Sequence, residues 1–281
     1  MIYQVGSPGQ PWLEIIVPAR NEQDRLPAGL AALCAKACAL PPGVQIIVVD
    51  SASTDQTAAI AADWPAGLVP VRLVSCDRPG KGTAVRAGLL ASRAPLVGFC
   101  DADMATGLDA LDDAIGQLRS GYQVVIGSRA HPASDVRVRH STVRKAGAAV
   151  FRWMGRRVVP GVGDTQCGFK FFSGPLARHV AGDLRATGFA FDIELLARCR
   201  QLGADVLEVP VNWHDVPGST FSISRHSVAA FAEVAAIMLA LRVPSAWAGA
   251  VRPEHGPDGG LTLSPDGPLP HGVTGIAVAE P

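Results

Sequence analysis

Residues 13 to 128 alternate between short apolar runs rich in β-branched residues and longer alanine-rich amphipathic stretches, and this alternation constrains the fold most. The strands that it predicts are Leu13–Val17, Val44–Asp50, Val71–Ser75, Leu96–Cys100 and Val124–Ser128. The helices that it predicts between them are Asp24–Ala39, Asp55–Asp63, Lys81–Ser92 and Leu108–Arg119. Continuous apolar strands separated by helices are typical of a parallel sheet that is covered on both faces. We therefore predict an α/β fold with a doubly wound, mostly parallel sheet.

The pattern is less regular after residue 128. The predicted elements there are a basic loop around Arg137–Arg144, a helix that ends near Met154, a strand at Gly168–Phe172, a helix at Asp192–Leu202, a strand at Val206–Val209 and a last helix from about Arg225 to Leu241. Residues 253–281 contain 6 Pro, 6 Gly and no aromatic residue. Because such a composition buries little apolar surface, we predict a disordered tail.

Composition excludes several classes of protein. The chain has 25 Lys+Arg and 25 Asp+Glu, and this zero net charge argues against a nonspecific nucleic-acid binder. None of the 6 cysteines forms a C-x-x-C pair, so we expect reduced, mostly buried thiols and no zinc site. The N-terminus does not resemble a signal peptide, and Val228–Leu241 is interrupted by Glu233 and too short to span a bilayer. We expect a cytoplasmic protein that is at most peripheral to a membrane.

Polar residues follow the first two predicted strands, at the edge where open parallel sheets bind ligands. Strand one is followed by a turn that includes Arg20 and Glu22 and has no glycine, which argues against a dinucleotide-binding enzyme. Strand two ends at Asp50, whose carboxylate is suited to accept hydrogen bonds from a base or a ribose. The Ser53-Thr54-Asp55 run that follows is also a good N-cap for the next helix.

Two carboxylates, Asp101 and Asp103, follow the fourth predicted strand. Their mutual repulsion raises one pKa unless a cation lies between them, and hard carboxylate oxygens suit Mg²⁺ or Mn²⁺ bridged to phosphates. Lys81, flanked by two glycines at a helix N-terminus, and Arg129, just after strand five, are candidates to face the same phosphates. The alternative for Lys81 is a solvated surface lysine.

Nine motifs along the chain together resemble one enzyme family. V-P-A-R-N-E, V-V-D-S-A-S-T-D-Q-T, G-K-G-T-A-V-R-A-G, D-A-D and V-I-G-S-R, in this order, resemble family 2 of the inverting glycosyltransferases of GT-A type. The later motifs are Asp164–Lys170, Gly188–Leu196, Val211–Trp213 and Pro217–Ser219. They are similar to the dolichyl-phosphate β-glucosyltransferase branch and its bacterial polyprenyl-phosphate relatives. The resemblance covers about residues 13–225.

The resemblance implies a GT-A fold, a UDP-sugar donor with glucose or N-acetylglucosamine as the expected sugar, and direct displacement with inversion. By the same resemblance Pro18, Arg20, Glu22 and Asp50 hold the uridine, Lys81 lies near the donor, and Asp101 and Asp103 bind the Mg²⁺ or Mn²⁺ diphosphate. We therefore expect an N-terminal extension (1–12), a nucleotide-sugar-binding half (13–130), an acceptor-binding half of the same GT-A domain (131–245) and a Pro- and Gly-rich tail (246–281).

The acceptor is less constrained than the donor. The resemblance places Asp192 and Glu194 beside the sugar and the acceptor. A hydroxyl or amine acceptor must lose a proton, for which Asp192 is the candidate base, whereas an anionic phosphate acceptor needs none. Arg129, with Arg137 or Arg139, then positions the phosphate. Glu194 has a structural alternative, because a carboxylate near a helix N-terminus interacts favourably with the helix dipole.

Two departures from the branch keep a second acceptor class open. Thr220 stands where the polyprenyl-phosphate branch usually has lysine, and no membrane anchor is predicted, so a soluble or carrier-bound acceptor of secondary metabolism is the alternative. His214 is a candidate third metal ligand or a structural loop residue, and Trp213 either stacks on a sugar or packs.

The sequence argues against two rival functions. Nucleotidyl transfer to a sugar phosphate requires a glycine-rich loop after strand one, which this chain lacks. A non-catalytic sugar-nucleotide-binding protein would not need the intact Asp101, Asp103 and Asp192. We expect the enzyme in the cytoplasm or at the inner face of the membrane.

Overall fold

The computed structural model describes residues 10–137, 151–214, 216, 233–239, 254–255 and 261–262. The chain divides into two compact units, Met1–Val243 and Pro244–Pro281. In the second unit, Glu254–His255 pairs antiparallel with Leu261–Thr262. The main sheet and the cleft belong to the first unit.

The elements of the first unit alternate between strands and helices up to residue 128. The strands are β1 (Leu13–Ala19), β2 (Val44–Ser51), β3 (Val71–Cys76), β4 (Leu96–Cys100), β5 (Val124–Ser128), β6 (Asp135–Arg137), β7 (Phe169–Ser173), β8 (Val206–Pro210) and β9 (Asn212–His214). The helices are α1 (Leu26–Cys38), α2 (Thr57–Ala62), α3 (Lys81–Ala91), α4 (Ala110–Arg119), α5 (151–158), α6 (Gly174–Asp183), α7 (Phe191–Gln201) and α8 (233–239).

Seven strands of the described chain form one sheet in the order β3-β2-β1-β4-β7-β5-β8. All neighbours are parallel except at β7, which runs antiparallel to both β4 and β5. The predicted α/β class and mostly parallel sheet are therefore confirmed. Because β7 is reversed, it begins at the edge where β4 ends, with Phe169 opposite Cys100. The segment before β7 thus reaches the carboxyl ends of the parallel strands.

Two apolar cores lie on the two faces of the sheet. One core contains buried residues of α3, α6, α7 and α8, and the other contains buried residues of α1 and α4. Residues of β1 and β2 alternate between these cores, since successive side chains of a strand point to opposite faces. This double burial accounts for strands that are apolar throughout.

The first five predicted strands begin at the observed residues and end within two residues of the observed ends. The four predicted helices in this region also lie within two residues of the observed ends. Larger differences begin after residue 128. The predicted helix near Met154 continues to residue 158, and α6 was not predicted. Only 233–239 of the predicted helix Arg225–Leu241 is described, and it is helical. Most of the basic loop Arg137–Arg144 and of the tail lies outside the described residues.

A short parallel pair, β6 with β9, stands apart from the main sheet. Within the described residues, none of the helices has the length and hydropathy needed to cross a bilayer.

Candidate active site

A cleft of about 570 Å³ opens where β1, β2 and β4 end. It is lined by residues 18–22, Arg25, Ser51, 79–81, Ala84, 101–103 and 188–189. Of the predicted donor-binding residues, Pro18, Arg20, Glu22, Lys81 and Asp101 line it, as does Asp103.

Hydrogen bonds join the loops after β1 and β2 into one wall of the cleft. The amide of Asn21 donates to Ser53 Oγ (3.0 Å), and Asn21 Oδ1 accepts from the Thr54 amide (2.9 Å). The Glu22 amide donates to Thr57 Oγ1 (2.8 Å). Asn21 has a φ of 54°, a left-handed conformation that asparagine tolerates better than most residues. The side chains of Ser53, Asn21 and Thr57 therefore hold the two loops together by binding backbone amides. The turn after β1 needs no glycine.

Asp50 is buried at the end of β2, beside Ser51 of the cleft. Its Oδ2 accepts a hydrogen bond from the Ser53 amide (3.3 Å), whereas its Oδ1 is buried and has no partner among the described residues. A buried carboxylate oxygen without a donor is costly. Asp50 thus carries an acceptor that no described donor satisfies, although Asp50 is not among the described residues that line the cleft.

Arg25, which the sequence did not single out, connects Glu22 with Asp103. Its guanidinium donates to both carboxylate oxygens of Glu22, and its Nη1 lies 3.5 Å from Asp103 Oδ2. Burial raises the pKa of Glu22, although the charge of Arg25 opposes this shift. The spacing of three residues between Glu22 and Arg25 at a helix start was the available signal.

The loop before α3 is fixed between two other segments. Ser51 Oγ accepts a hydrogen bond from the Gly80 amide (3.0 Å), and the Gly82 amide donates to the Thr187 carbonyl (3.0 Å). Gly80 has a φ of 145°, and a Cβ there would lie 2.4 Å from Thr187 O. Glycine is therefore required by both conformation and space, and Lys81 begins α3 in a defined position.

Lys81 Nζ lies 2.6 Å from Asp101 Oδ1 at the cleft. Burial alone would lower the pKa of Lys81, but the charges of Asp101 and Asp192 outweigh it and the pKa is raised. Lys81 is thus a charged cleft residue and not a solvated surface lysine. Gly168, just before β7, gives Asp101 its space, since a Cβ on Gly168 would lie 1.9 Å from Asp101 Oδ2.

Asp103 completes the carboxylate pair. Its Oδ1 accepts a hydrogen bond from the Ala105 amide (3.1 Å). Burial and the charge of Asp101 raise the pKa of Asp103, although Arg25 and Lys81 oppose the shift. A divalent cation would relieve this repulsion, and two hard oxygen ligands fit Mg²⁺ or Mn²⁺.

The third predicted metal ligand, His214, is exposed on β9. Its backbone amide donates to the Ala105 carbonyl (2.9 Å), so β9 runs beside the loop that follows Asp103. Among the described residues, no group of three or more His, Cys, Asp or Glu side chains is arranged to hold a metal. A metal-binding role for His214 stays a prediction.

A buried ion pair lies beneath the cleft. Lys170 of β7 and Asp192 of α7 are fully buried, with Nζ 2.6 Å from Asp192 Oδ1. Lys170 also donates to the Cys167 carbonyl and lies 5.4 Å from the centre of the Phe99 ring. Burial raises the pKa of Asp192, although Lys170 and Lys81 oppose the shift. Asp192 is not among the described residues that line the cleft.

Four side chains form a row of alternating charges in space: Lys170, Asp192, Lys81 and Asp101. Each lysine interacts with a neighbouring carboxylate, and Lys81 interacts with both. Lys170 could have been found from the sequence, because a lysine within the strand F-K-F-F requires a partner when both faces are buried.

Glu194 is buried, and both of its carboxylate oxygens accept hydrogen bonds from groups of the protein. Its Oε2 accepts from the amides of Arg185 (3.0 Å) and Ala186 (2.7 Å), and its Oε1 accepts from Arg198 Nε (2.8 Å). The carbonyl of Ala186 in turn faces Gly82, and a Cβ added at Gly82 would lie 2.5 Å from the Ala186 oxygen. These contacts favour the structural alternative, while its acceptor-binding role stays a prediction.

Arg129 is held by Asp164, another residue that the sequence did not assign to the site. The Arg129 Nε and Nη2 atoms lie 2.7 and 2.9 Å from the Asp164 carboxylate, which also accepts from the Arg129 amide. The guanidinium lowers the pKa of Asp164 to about 2, although burial opposes the shift. The guanidinium carbon lies 5.8 Å from the centre of the Trp213 ring.

The other predicted acceptor arginines are less defined. Arg137 is exposed and pairs with Asp135 on its own strand (3.0 Å). Arg139 lies outside the described residues.

Comparison with known proteins agrees with the fold. The family model described as glycosyl transferase family 2 matches residues 14–171. A dolichyl-phosphate beta-glucosyltransferase of Drosophila melanogaster is 36% identical over 224 residues, which are 74% of this chain and 68% of the relative. Glucosyl-3-phosphoglycerate synthase of Mycobacterium tuberculosis, solved with UDP, has a TM-score of 0.58 at 22% identity and covers 85% of this chain and 83% of its own. The same synthase with Mn²⁺, UDP-glucose and phosphoglyceric acid gives 0.55 at 23% identity, with 85% and 82% covered.

The fold is that of the GT-A type, and the chain is a glycosyltransferase. The chain belongs to glycosyl transferase family 2, and its sequence relatives are on the dolichyl-phosphate β-glucosyltransferase branch.

Proposed function

We propose that this enzyme transfers a sugar from a UDP-sugar to a polyprenyl phosphate, with inversion and with Mg²⁺ or Mn²⁺ held by Asp101 and Asp103. The observation that carries the proposal is the carboxylate pair with Lys81 at the carboxyl edge of the sheet. Glucose is the favoured sugar because the sequence relatives are named β-glucosyltransferases, and N-acetylglucosamine is the alternative.

The donor end of the cleft suits a uridine diphosphate. Asp50 Oδ1 has no partner in the described part of the chain and would accept the uracil N–H. Pro18 and Arg20 line the cleft on either side of Ala19, which is opposite Asp50 in the sheet. Lys81 would lie against the diphosphate. A divalent cation on Asp101 and Asp103 would neutralise the charge that develops on the leaving diphosphate.

The surroundings of Asp192 favour a phosphate acceptor over a hydroxyl or amine. Asp192 is fully buried and paired with Lys170, which makes it a poor proton acceptor for a substrate in the cleft. A phosphate oxygen is already anionic and attacks the anomeric carbon without losing a proton. As that bond forms, the bond from the anomeric carbon to the diphosphate breaks and UDP leaves. Arg129, oriented by Asp164, would hold the attacking phosphate.

Such an acceptor would bring the reaction to a membrane surface, in keeping with the predicted cytoplasmic location at the inner face.

The test is to incubate the enzyme, Mn²⁺ and either UDP-glucose or UDP-N-acetylglucosamine with three acceptors: a short polyprenyl phosphate, the matching polyprenol and a soluble phosphorylated metabolite. Products are identified by mass spectrometry. We expect transfer to the polyprenyl phosphate alone. Transfer only to the polyprenol or to the soluble metabolite would refute the acceptor assignment.

Two variants separate the roles of the carboxylates. Asp101→Asn should abolish transfer, while Asp113→Asn, on the exposed face of α4, should have no effect. Asp192→Asn should lose much less activity than Asp101→Asn when assayed below its own unfolding temperature. A loss of several orders of magnitude in Asp192→Asn with the fold intact would favour a base-catalysed reaction.

A further inference from the structure

The outward face of α5 combines three arginines with a tryptophan. Arg152, Trp153, Arg156 and Arg157 are all exposed, and 58% of Trp153 is accessible to solvent. The guanidinium carbon of Arg157 lies 4.8 Å from the centre of the Trp153 ring. We call these four residues the α5 basic face. No part of the proposed reaction uses them.

The opposite side of α5 is fixed to the protein. Phe151, Met154 and Val158 pack against the core that contains α3, α6 and α7. Gly155 is buried, and a Cβ there would lie 2.6 Å from Thr165 Oγ1. Because this inner side is packed, the α5 basic face is held toward solvent.

The charge around α5 is segregated along the sequence. Residues 136–163 contain seven of the 25 Lys+Arg and none of the 25 Asp+Glu. The seven are Arg137, Arg139, Arg144, Lys145, Arg152, Arg156 and Arg157. In a chain without net charge, a segment of this kind has no carboxylate of its own to neutralise it and is suited to an anionic partner.

The α5 basic face is connected to Arg129 through three consecutive residues. Arg156 Nη2 donates to the Gly163 carbonyl (3.3 Å), Asp164 binds Arg129, and Thr165 packs on Gly155 of α5. An anionic surface that contacts α5 would therefore lie near the arginine that we assign to the acceptor phosphate.

We propose that the α5 basic face binds the surface of an anionic lipid bilayer. This inference rests on the proposed function, in which the acceptor is a polyprenyl phosphate. The tryptophan decides between a bilayer and a soluble polyanion, because indole rings favour the boundary between headgroups and acyl chains. Arginine stems can lie along apolar surface while their guanidinium groups remain among the phosphates.

The test is sedimentation with vesicles that contain neither acceptor nor donor. Wild-type enzyme should bind vesicles of phosphatidylglycerol and phosphatidylcholine, release from them in high salt, and not bind phosphatidylcholine alone. R152Q/R156Q/R157Q should bind on the order of 100-fold more weakly, since each cation near an anionic surface contributes about 1 kcal/mol. W153A should bind roughly tenfold more weakly to vesicles, and its binding to heparin should be unchanged.

R93Q/R119Q/R185Q is the matched control, because it removes three charges from exposed arginines elsewhere. It should bind vesicles as the wild type does. Both triple variants should keep the wild-type circular dichroism spectrum and unfolding temperature.

Several results would overturn the inference: no binding of wild type to anionic vesicles at low salt, equal losses in the two triple variants, or vesicle binding that does not depend on Trp153. The last result would assign the face to soluble polyanions. Transfer to polyprenyl phosphate in detergent without vesicle binding refutes this inference alone. Vesicle binding without any sugar transfer refutes the proposed function.

Discussion

Replacing Lys170 by methionine tests the charge arrangement beneath the cleft. Methionine has nearly the shape of lysine, so the variant removes the ammonium while leaving little cavity beside Phe99. Asp192 would then be buried with its main counter-ion absent. Removing one partner of a buried ion pair costs about 3–5 kcal/mol, which for a domain of this size lowers Tm by roughly 10 °C.

The assay is urea unfolding at several pH values. Burial already raises the folded-state pKa of Asp192 above its ordinary value, and loss of Lys170 should raise that pKa further. A carboxyl with a raised folded pKa favours folding below its unfolded pKa, and that contribution is lost as the pH rises through the folded pKa. The stability lost in K170M should therefore be largest at neutral pH and should shrink toward pH 4.

Two further variants test whether the loss of stability in K170M comes from the buried ion pair. K170M/D192N removes both charges and should regain about 2 kcal/mol over K170M alone, because only neutral hydrogen-bonding groups remain unpaired. K36M removes the lysine of the exposed pair Lys36–Asp112 and should cost less than about 1 kcal/mol. If K170M is no less stable than K36M, or if the double variant is less stable than K170M, the buried pair does not have the role described.

Three other predictions concern the metal and acceptor sides of the cleft. G168A should lower the transfer rate by on the order of 100-fold and weaken Mn²⁺ binding measured by electron paramagnetic resonance, because its methyl group would displace the Asp101 carboxylate. In G182A the added Cβ would meet no described atom within 4 Å, so this variant should behave as wild type. Equal activity of G168A and G182A would contradict the requirement for glycine beside Asp101. D164N should cost about 2 kcal/mol at pH 7, because the pKa of Asp164 is lowered from 3.8 to about 2 beside Arg129. That contribution is present above pH 4 and lost toward pH 2, so a difference in urea unfolding that does not change with pH would be evidence against it. Chelation by EDTA should stop transfer and Mn²⁺ should restore it, whereas persistent transfer in EDTA would exclude the metal assignment.

The parallel part of the fold could be predicted from the sequence because its signal is local. Each of the first five strands is a short apolar run bounded by turn residues, and β4 and β5 agree with prediction at both ends. The direction of β7 could not be predicted, since an apolar strand looks the same in either direction. α6 was overlooked although Pro175 follows its first residue, a position where proline favours a helix start.

The candidate site was predicted best where a residue follows a strand. Asp101 and Lys81 meet at the cleft as expected, because the carboxyl ends of parallel strands share one edge. Sequence reasoning did not find Arg25, Lys170 or Asp164, because each of them acts through an ion pair with a residue that is distant in the sequence. The lysine within a buried strand and the three-residue spacing of Glu22 and Arg25 were the signals that sequence reasoning could have used.

The reversed strand β7 has a consequence for how the chain folds. β4 and β5 do not pair with each other, and β7 occupies the position between them. In a growing chain that has been synthesised only as far as β5, β4 lacks its neighbour β7 and β5 lacks both of its neighbours, β7 and β8, so the sheet is incomplete. Such edges can pair with other chains. The predicted nucleotide-sugar-binding half (13–130) therefore depends on residues 169–173 to join β5 to the other parallel strands. We expect a fragment that ends at Ser128 to aggregate rather than to bind UDP.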